Sequence, residues 1–100
     1  MLYAIVAEET PGAPEKRDAP RAAHMKRMAQ MQDAGRIVVS GPCPAIDSPD
    51  PGPAGFSGSV IIAEFASLEA AKAWMAEDPY VKSGVFNKVT VKPFRKGFPK

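Results

Sequence analysis

Ser59-Val60-Ile61-Ile62-Ala63-Glu64-Phe65 is the most strand-like stretch of the chain, and its two faces set the architecture. β-Branched and aromatic residues dominate it, and no glycine or proline interrupts. Alternation places Ile61, Ala63 and Phe65 on one side against Val60 and Ile62 on the other. Leu2-Tyr3-Ala4-Ile5-Val6-Ala7 has the same character, with Leu2, Ala4 and Val6 opposing Tyr3, Ile5 and Ala7. Both segments are apolar on both faces, so both read as interior strands. Arg36-Ile37-Val38-Val39-Ser40 and residues 85–94 supply two more, and Arg36, Lys88, Lys92 and Pro93 suit these to sheet edges.

Between the strands the period changes from two to three and four. Met25, Met28, Ala29 and Gln32 share one helical face, flanked by His24 and Met31 with Arg21 nearby. Asp18 is the predicted N-cap, Pro20 lies in the first turn and Gly35 is the C-cap. A start near Glu15 would bury Pro20 within the helix and kink it, so the later start is expected. Ser67 caps a second helix whose apolar side is Leu68, Ala71, Trp74 and Met75, and Asp78-Pro79-Tyr80 ends it and opens a further turn. Thr10-Pro11-Gly12-Ala13-Pro14 breaks the first strand. Residues 42–58 carry Pro42, Pro44, Pro49, Pro51 and Pro53 and are expected as a surface loop, and residues 95–100 as a basic tail.

The order β-α-β-β-α-β predicts an α+β fold: one domain over residues 1–100, a ferredoxin-like subunit with a four-stranded antiparallel sheet. Two helices cover one face of such a sheet. The other face is apolar too, so a homodimer through the sheet faces is expected, with a monomer whose loop folds over that face as the alternative.

Composition removes several function classes. Thirteen basic against eleven acidic residues give a net charge of +2, which excludes a strongly basic nucleic-acid binder. The last strand, Phe86-Asn87-Lys88-Val89-Thr90-Val91, lacks the basic–aromatic alternation of an RNA-binding sheet, so no nucleic-acid partner is expected. The N-terminal apolar run is too short for a signal peptide or membrane span, which makes a cytoplasmic protein without a membrane partner the expectation. Cys43 is the only cysteine, so no internal disulfide or all-cysteine metal site can form. The glycines at 52–58 match neither a phosphate loop nor a dinucleotide fingerprint. No metal site and no cofactor are expected.

His24 is the only side chain with an ordinary pKa near neutrality. As a general acid or base it needs an orienting carboxylate. Asp18 and Asp33 are out of phase on its own helix, whereas Asp78, held before Pro79 at the end of the second helix, can face it across the helix pair. The plainer roles are a backbone-bonded core histidine and a helix cap. Ser40-Gly41-Pro42 closes the second strand with small residues that let a ligand approach backbone N–H groups, or simply mark a turn. Tyr80 and Trp74 could wall a pocket or fill core. Cys43, without a second histidine to activate it, reads as an unreactive thiol.

Taken together, Met1-Leu2-Tyr3, Arg21-Ala22-Ala23-His24, Gly35-Arg36 leading to Ser40-Gly41-Pro42, and Asp50-Pro51-Gly52 with Gly55-Phe56-Ser57-Gly58-Ser59 resemble the YciI-like (YCII-related) family. So do Glu64-Phe65-Ala66-Ser67-Leu68-Glu69-Ala70-Ala71, Asp78-Pro79-Tyr80 and Val91-Lys92-Pro93-Phe94. The likeness is to its stand-alone bacterial members above all. It implies a ferredoxin-like subunit paired into a dimeric α/β barrel, and a histidine–aspartate pair that falls on His24 and Asp78. It also implies kinship with muconolactone isomerases and with a dehydrochlorinase of a chlorinated hydroxymuconate.

The expected function is therefore lyase or isomerase chemistry by proton transfer on a small anionic organic molecule. His24 and Asp78 are the catalytic pair, and Ser40, Gly41, Pro42, Tyr80 and Arg21 line the substrate site. The alternative is a small-molecule binder or accessory protein without turnover; a structural partner that pairs through its sheet face is a third.

Overall fold

The computed structural model describes the backbone of residues 1–11 and 14–100 and the side chains of residues 1–11 and 17–100. Gly12 and Ala13 of the expected break after the first strand lie outside the described residues. The elements follow as β1 (Leu2–Glu9), α1 (Pro14–Asp33), β2 (Ile37–Pro44), a 3-10 turn (Gly52–Ala54), β3 (Phe56–Glu64), α2 (Leu68–Ala76), α3 (Pro79–Lys82) and β4 (Phe86–Phe94). The strands pair antiparallel in the order β2-β3-β1-β4. Ile5 stands opposite Ile61 and Val91 in the central register.

The period-two pattern sorts the two central strands as their sequence dictates. Tyr3, Ile5 and Ala7 of β1 and Ile61 and Ala63 of β3 are buried, and they pack with Met31, Ala71, Met75, Tyr80 and Phe86 into one core. The Ser67 hydroxyl caps α2 by accepting from the Ala70 N–H, and the Asp78 carboxylate caps α3 by accepting from the Tyr80 N–H. Gly35, at φ 70°, turns the chain out of α1.

The expectation of a dimeric α/β barrel is corrected. The sheet is open and uncurled: β2 and β4 are edges that do not meet, and four strands rotated by roughly 20–25° from neighbour to neighbour do not come round to closure. The apolar second face does not require a barrel either. Leu2, Ala4, Val60 and Ile62 shield one another across the strands and are only part-exposed, while Val6, at 46%, and Val39 of β2, at 56%, are the large apolar residues of that face open to solvent. Pro93, Lys88 and Lys92 on β4 and Pro42 and Pro44 on β2 guard the edges.

Two boundaries also differ. α1 begins at Pro14, so Asp18 lies inside the helix rather than at its cap, and Pro20 is accommodated within it. A tertiary contact offsets the hydrogen bond that Pro20 cannot make: Arg17 pairs with Glu9 of β1 and lies over the Phe56 and Tyr80 rings. The paired strands reach into the expected loop, because an edge strand such as β2 tolerates Pro42 and Pro44. Among the described residues no helix is long and apolar enough to cross a membrane.

β3 approaches β1 so closely at Gly58 that a Cβ there would lie 2.0 Å from the Ala7 carbonyl oxygen. Backbone cannot yield as a flexible side chain can, so Gly58→Ala is expected to cost about 2–3 kcal/mol. Urea denaturation followed by circular dichroism measures it.

Candidate active site

The site is built where the α2–α3 junction meets α1. Pro79 stops α2 from continuing, and the chain turns at Asp78, whose side chain is wholly buried. A carboxylate without solvent needs its charge and lone pairs answered by the protein. Its Oδ1 accepts from the Tyr80 backbone N–H at 2.9 Å and lies 2.9 Å from His24 Nδ1. Oδ2 accepts from Arg27 Nη1 at 2.9 Å and lies 3.1 Å from the same His24 nitrogen. Burial pushes the Asp78 carboxyl up, but the hydrogen bonds from His24 and Tyr80 and the charges of His24 and Arg27 outweigh it and hold the group below its ordinary value of 3.8.

An ionised carboxylate only accepts, so Nδ1 of His24 carries the hydrogen and donates it. Nε2 is then the nitrogen free to exchange a proton. The imidazole is nearly parallel to the Tyr80 ring, with centroids 4.0 Å apart, and Phe86 meets both rings edge-on. Tyr80 is buried at the base of the site. Burial raises its phenol pKa, Arg17 and Arg21 oppose the rise and Glu9 and Asp78 add to it, so the hydroxyl stays protonated at neutrality.

His24 opens onto a cavity of about 670 Å³ between α1 and β2. Every residue expected at the substrate site lines it: Arg21 from α1, Ser40, Gly41 and Pro42 from β2, and Tyr80 from α3. Asp78 lies behind the imidazole, away from the cavity. Met25, Met28, Ile37 and Val38 make an apolar wall, and the Ser59 hydroxyl donates to the Gly41 carbonyl at 3.1 Å. Trp74 does not line this cavity; it packs on Phe65 and beneath the Arg27 guanidinium, 4.3 Å from the ring centroid. Cys43 is a free, half-buried thiol on β2. Among the described residues no group of three or more His, Cys, Asp or Glu side chains converges as a metal site would require.

Sequence reasoning missed Arg27 and Arg17. Arg27 stands three residues after His24, a spacing that brings two side chains onto neighbouring helical positions and could have revealed it. It also donates to the Trp74 carbonyl, so one guanidinium ties α1 to the end of α2. Arg17 was lost with the late helix start.

The profile of the YCII-related domain matches residues 1–95. The chain is 54% identical over 98 residues, 98% of its length and all of the relative's, to Protein YciI of Escherichia coli O6:H1. The chain belongs to the YciI/YCII-related family. A family relative from Haemophilus influenzae, an uncharacterised protein, is 50% identical over the same 98 residues, again 98% of this chain and 100% of that one. Among solved structures, 5-chloro-2-hydroxyhydroquinone dehydrochlorinase (TftG) from Burkholderia phenoliruptrix AC1100, in complex with 2,5-dihydroxybenzoquinone, superposes with a TM-score of 0.84 at 26% identity. The match covers 97% of this chain and 96% of that one. The dehydrochlorinase similar to this YciI-family chain is thus named for a chlorinated hydroxyhydroquinone, not for a muconate.

Two outcomes follow from the Asp78 network. His24 is the sole histidine, so nitrogen-15 NMR of labelled protein reads one imidazole, and its neutral form is expected as the Nδ1–H tautomer. Because the folded-state pKa of Asp78 is lowered, its stabilising contribution is present above the unfolded value and is lost as pH falls through the folded one. Stability to urea should therefore fall below about pH 4, and Asp78→Asn, which leaves Arg27 and His24 without their carboxylate, should cost about 3–5 kcal/mol at pH 7.

Proposed function

We propose that this protein is a cytoplasmic lyase or isomerase in which His24 moves a proton to and from a small anionic organic molecule, with Asp78 as its orienting partner. The observation that carries this reading is the buried hydrogen bond between Asp78 and His24 Nδ1, set in the wall of a cavity large enough for such a molecule. The dehydrochlorinase of similar structure supports it by its own reaction class.

In an elimination, His24 Nε2 takes a proton from a carbon. The C–H electron pair becomes a C=C bond, and the neighbouring bond's pair departs with the leaving group. In an isomerisation the same nitrogen returns the proton at another carbon. Either way an imidazolium forms beside Asp78, whose negative charge stabilises it as its hydrogen bond holds the ring in place. Ser40 and the backbone around Gly41 and Pro42 hold a substrate oxygen, and Arg21 attracts the anion. The part of the sheet that the helices leave open, with Val6 at its centre, is the surface through which we infer that two copies associate face to face.

Metabolites captured from a cell extract by the wild type and by His24→Asn, incubated in heavy water and read by mass spectrometry, test the reaction. A captured compound should be converted or take up deuterium at least about a hundredfold faster on the wild type. Equal recovery of unchanged, unlabelled compound from both proteins would leave a binder and no enzyme. Sedimentation tests the assembly: a dimeric wild type and a monomeric Val6→Lys variant are expected, and a monomeric wild type would refute it.

A further inference from the structure

The face of α1 that lines the cavity changes character along its length. Arg17 and Arg21 come first, His24 stands in the middle, and Met25 and Met28 follow. On an α-helix these positions fall on one side, so they form a single ordered stripe. No carboxylate lines the cavity among the described residues. Among the described residues, the acidic side chain paired with the cationic end is that of Glu9, which is buried behind Arg17. Arg17 is held further by the Tyr80 and Phe56 rings, each centroid 5.1 Å from its Cζ. Arg21 is exposed and has no salt bridge among the described residues. Among the described residues, the two guanidinium groups that line this end have one salt-bridged carboxylate between them, and that excess of positive charge suits a monoanionic head rather than a phosphate dianion.

We propose that the Arg17–Arg21 end of the cavity is a carboxylate subsite, and that its ligand is an amphipathic monocarboxylic acid lying along α1. The inference rests on the reading of this cavity as the functional site. The carboxylate is received by Arg21 and by the donors of Arg17 that Glu9 leaves free, while Glu9 and the two rings keep the Arg17 guanidinium in place. The apolar body lies against Met25, Met28 and Ile37. At 1.5 Å per residue, Arg21 and Met28 are about 10 Å apart along the axis, so an aryl or short unsaturated acid spans the stripe. Arg21 and His24 are about 4.5 Å apart on the same axis, which puts the atom facing His24 within a few bonds of the carboxyl carbon. Arg17 and Arg21 are then specificity-determining residues that select the head, and His24 meets the ligand between head and body.

The test uses the full chain and two probes of one shape, trans-cinnamate and its neutral amide, titrated by proton–nitrogen NMR. Cinnamate should shift the amides of Ser40 and Gly41 and bind at least tenfold tighter than cinnamamide, with added salt weakening only cinnamate. Arg21→Gln should bring cinnamate down to the affinity of the amide and leave the amide unchanged. Arg21 is exposed, so this variant is expected to fold; Arg17→Lys, which keeps a charge for Glu9, should weaken cinnamate in the same direction. Equal affinity for both probes, no binding of either, or full cinnamate affinity in Arg21→Gln would each overturn the subsite. Binding requires no turnover, so these failures are distinct from a failure of proton transfer: His24→Asn should still prefer cinnamate, whether or not the wild type catalyses exchange.

Discussion

A carboxylate with no exposed surface sits at the junction of three helices, and the arrangement of the site depends on how its charge is answered. Asp78 cannot be solvated, and leaving it unpaired would cost more than any single packing contact in a domain of this size returns. The protein surrounds it with an imidazole and a guanidinium from α1 and a backbone N–H from the first turn of α3. Each partner is directional. The network therefore sets where α1 lies relative to α2 and α3, and it presents the imidazole with one defined nitrogen toward the cavity.

The cavity is the counterpart of that docking. α1 packs chiefly on α3. Beside β2 a space remains, walled by Met25, Met28 and Ile37. One flank of α1 carries Arg27 toward Trp74 at the end of α2, while the other carries Arg21 toward the opening. One flank of α1 is thus tied into the Asp78 network and the other faces the cavity, and His24 lies between them, held from behind and accessible in front.

Much of this was legible because its causes are local. Apolar residues on both faces mark β1 and β3 as central strands, Ser67 announces the start of α2, and an aspartate before a proline caps a new turn wherever it occurs. His24 and Asp78 could be paired on paper because a lone histidine needs an orienting acid, Asp18 and Asp33 are out of phase with it on its own helix, and Asp78 before Pro79 could face it across the helix pair. The errors arose where local rules met distant contacts. The late start of α1 followed from Pro20, and it failed because Glu9, on a different strand, holds Arg17 in the helix. The barrel followed from the family resemblance, and it failed because the four strands form an open sheet whose edges, β2 and β4, do not meet.

The amino-acid order by itself determined which segments extend and which coil, where most of them stop, and which side chains could exchange or accept a proton, since these depend on backbone propensity, periodicity and intrinsic acidity. Tertiary structure alone decided that Arg27 shares the carboxylate of Asp78, that Arg17 turns toward Glu9 and the aromatic rings, and that the sheet stays open. Those outcomes depend on distances between residues tens of positions apart in the chain, and a linear pattern carries no such distances until the helices have docked.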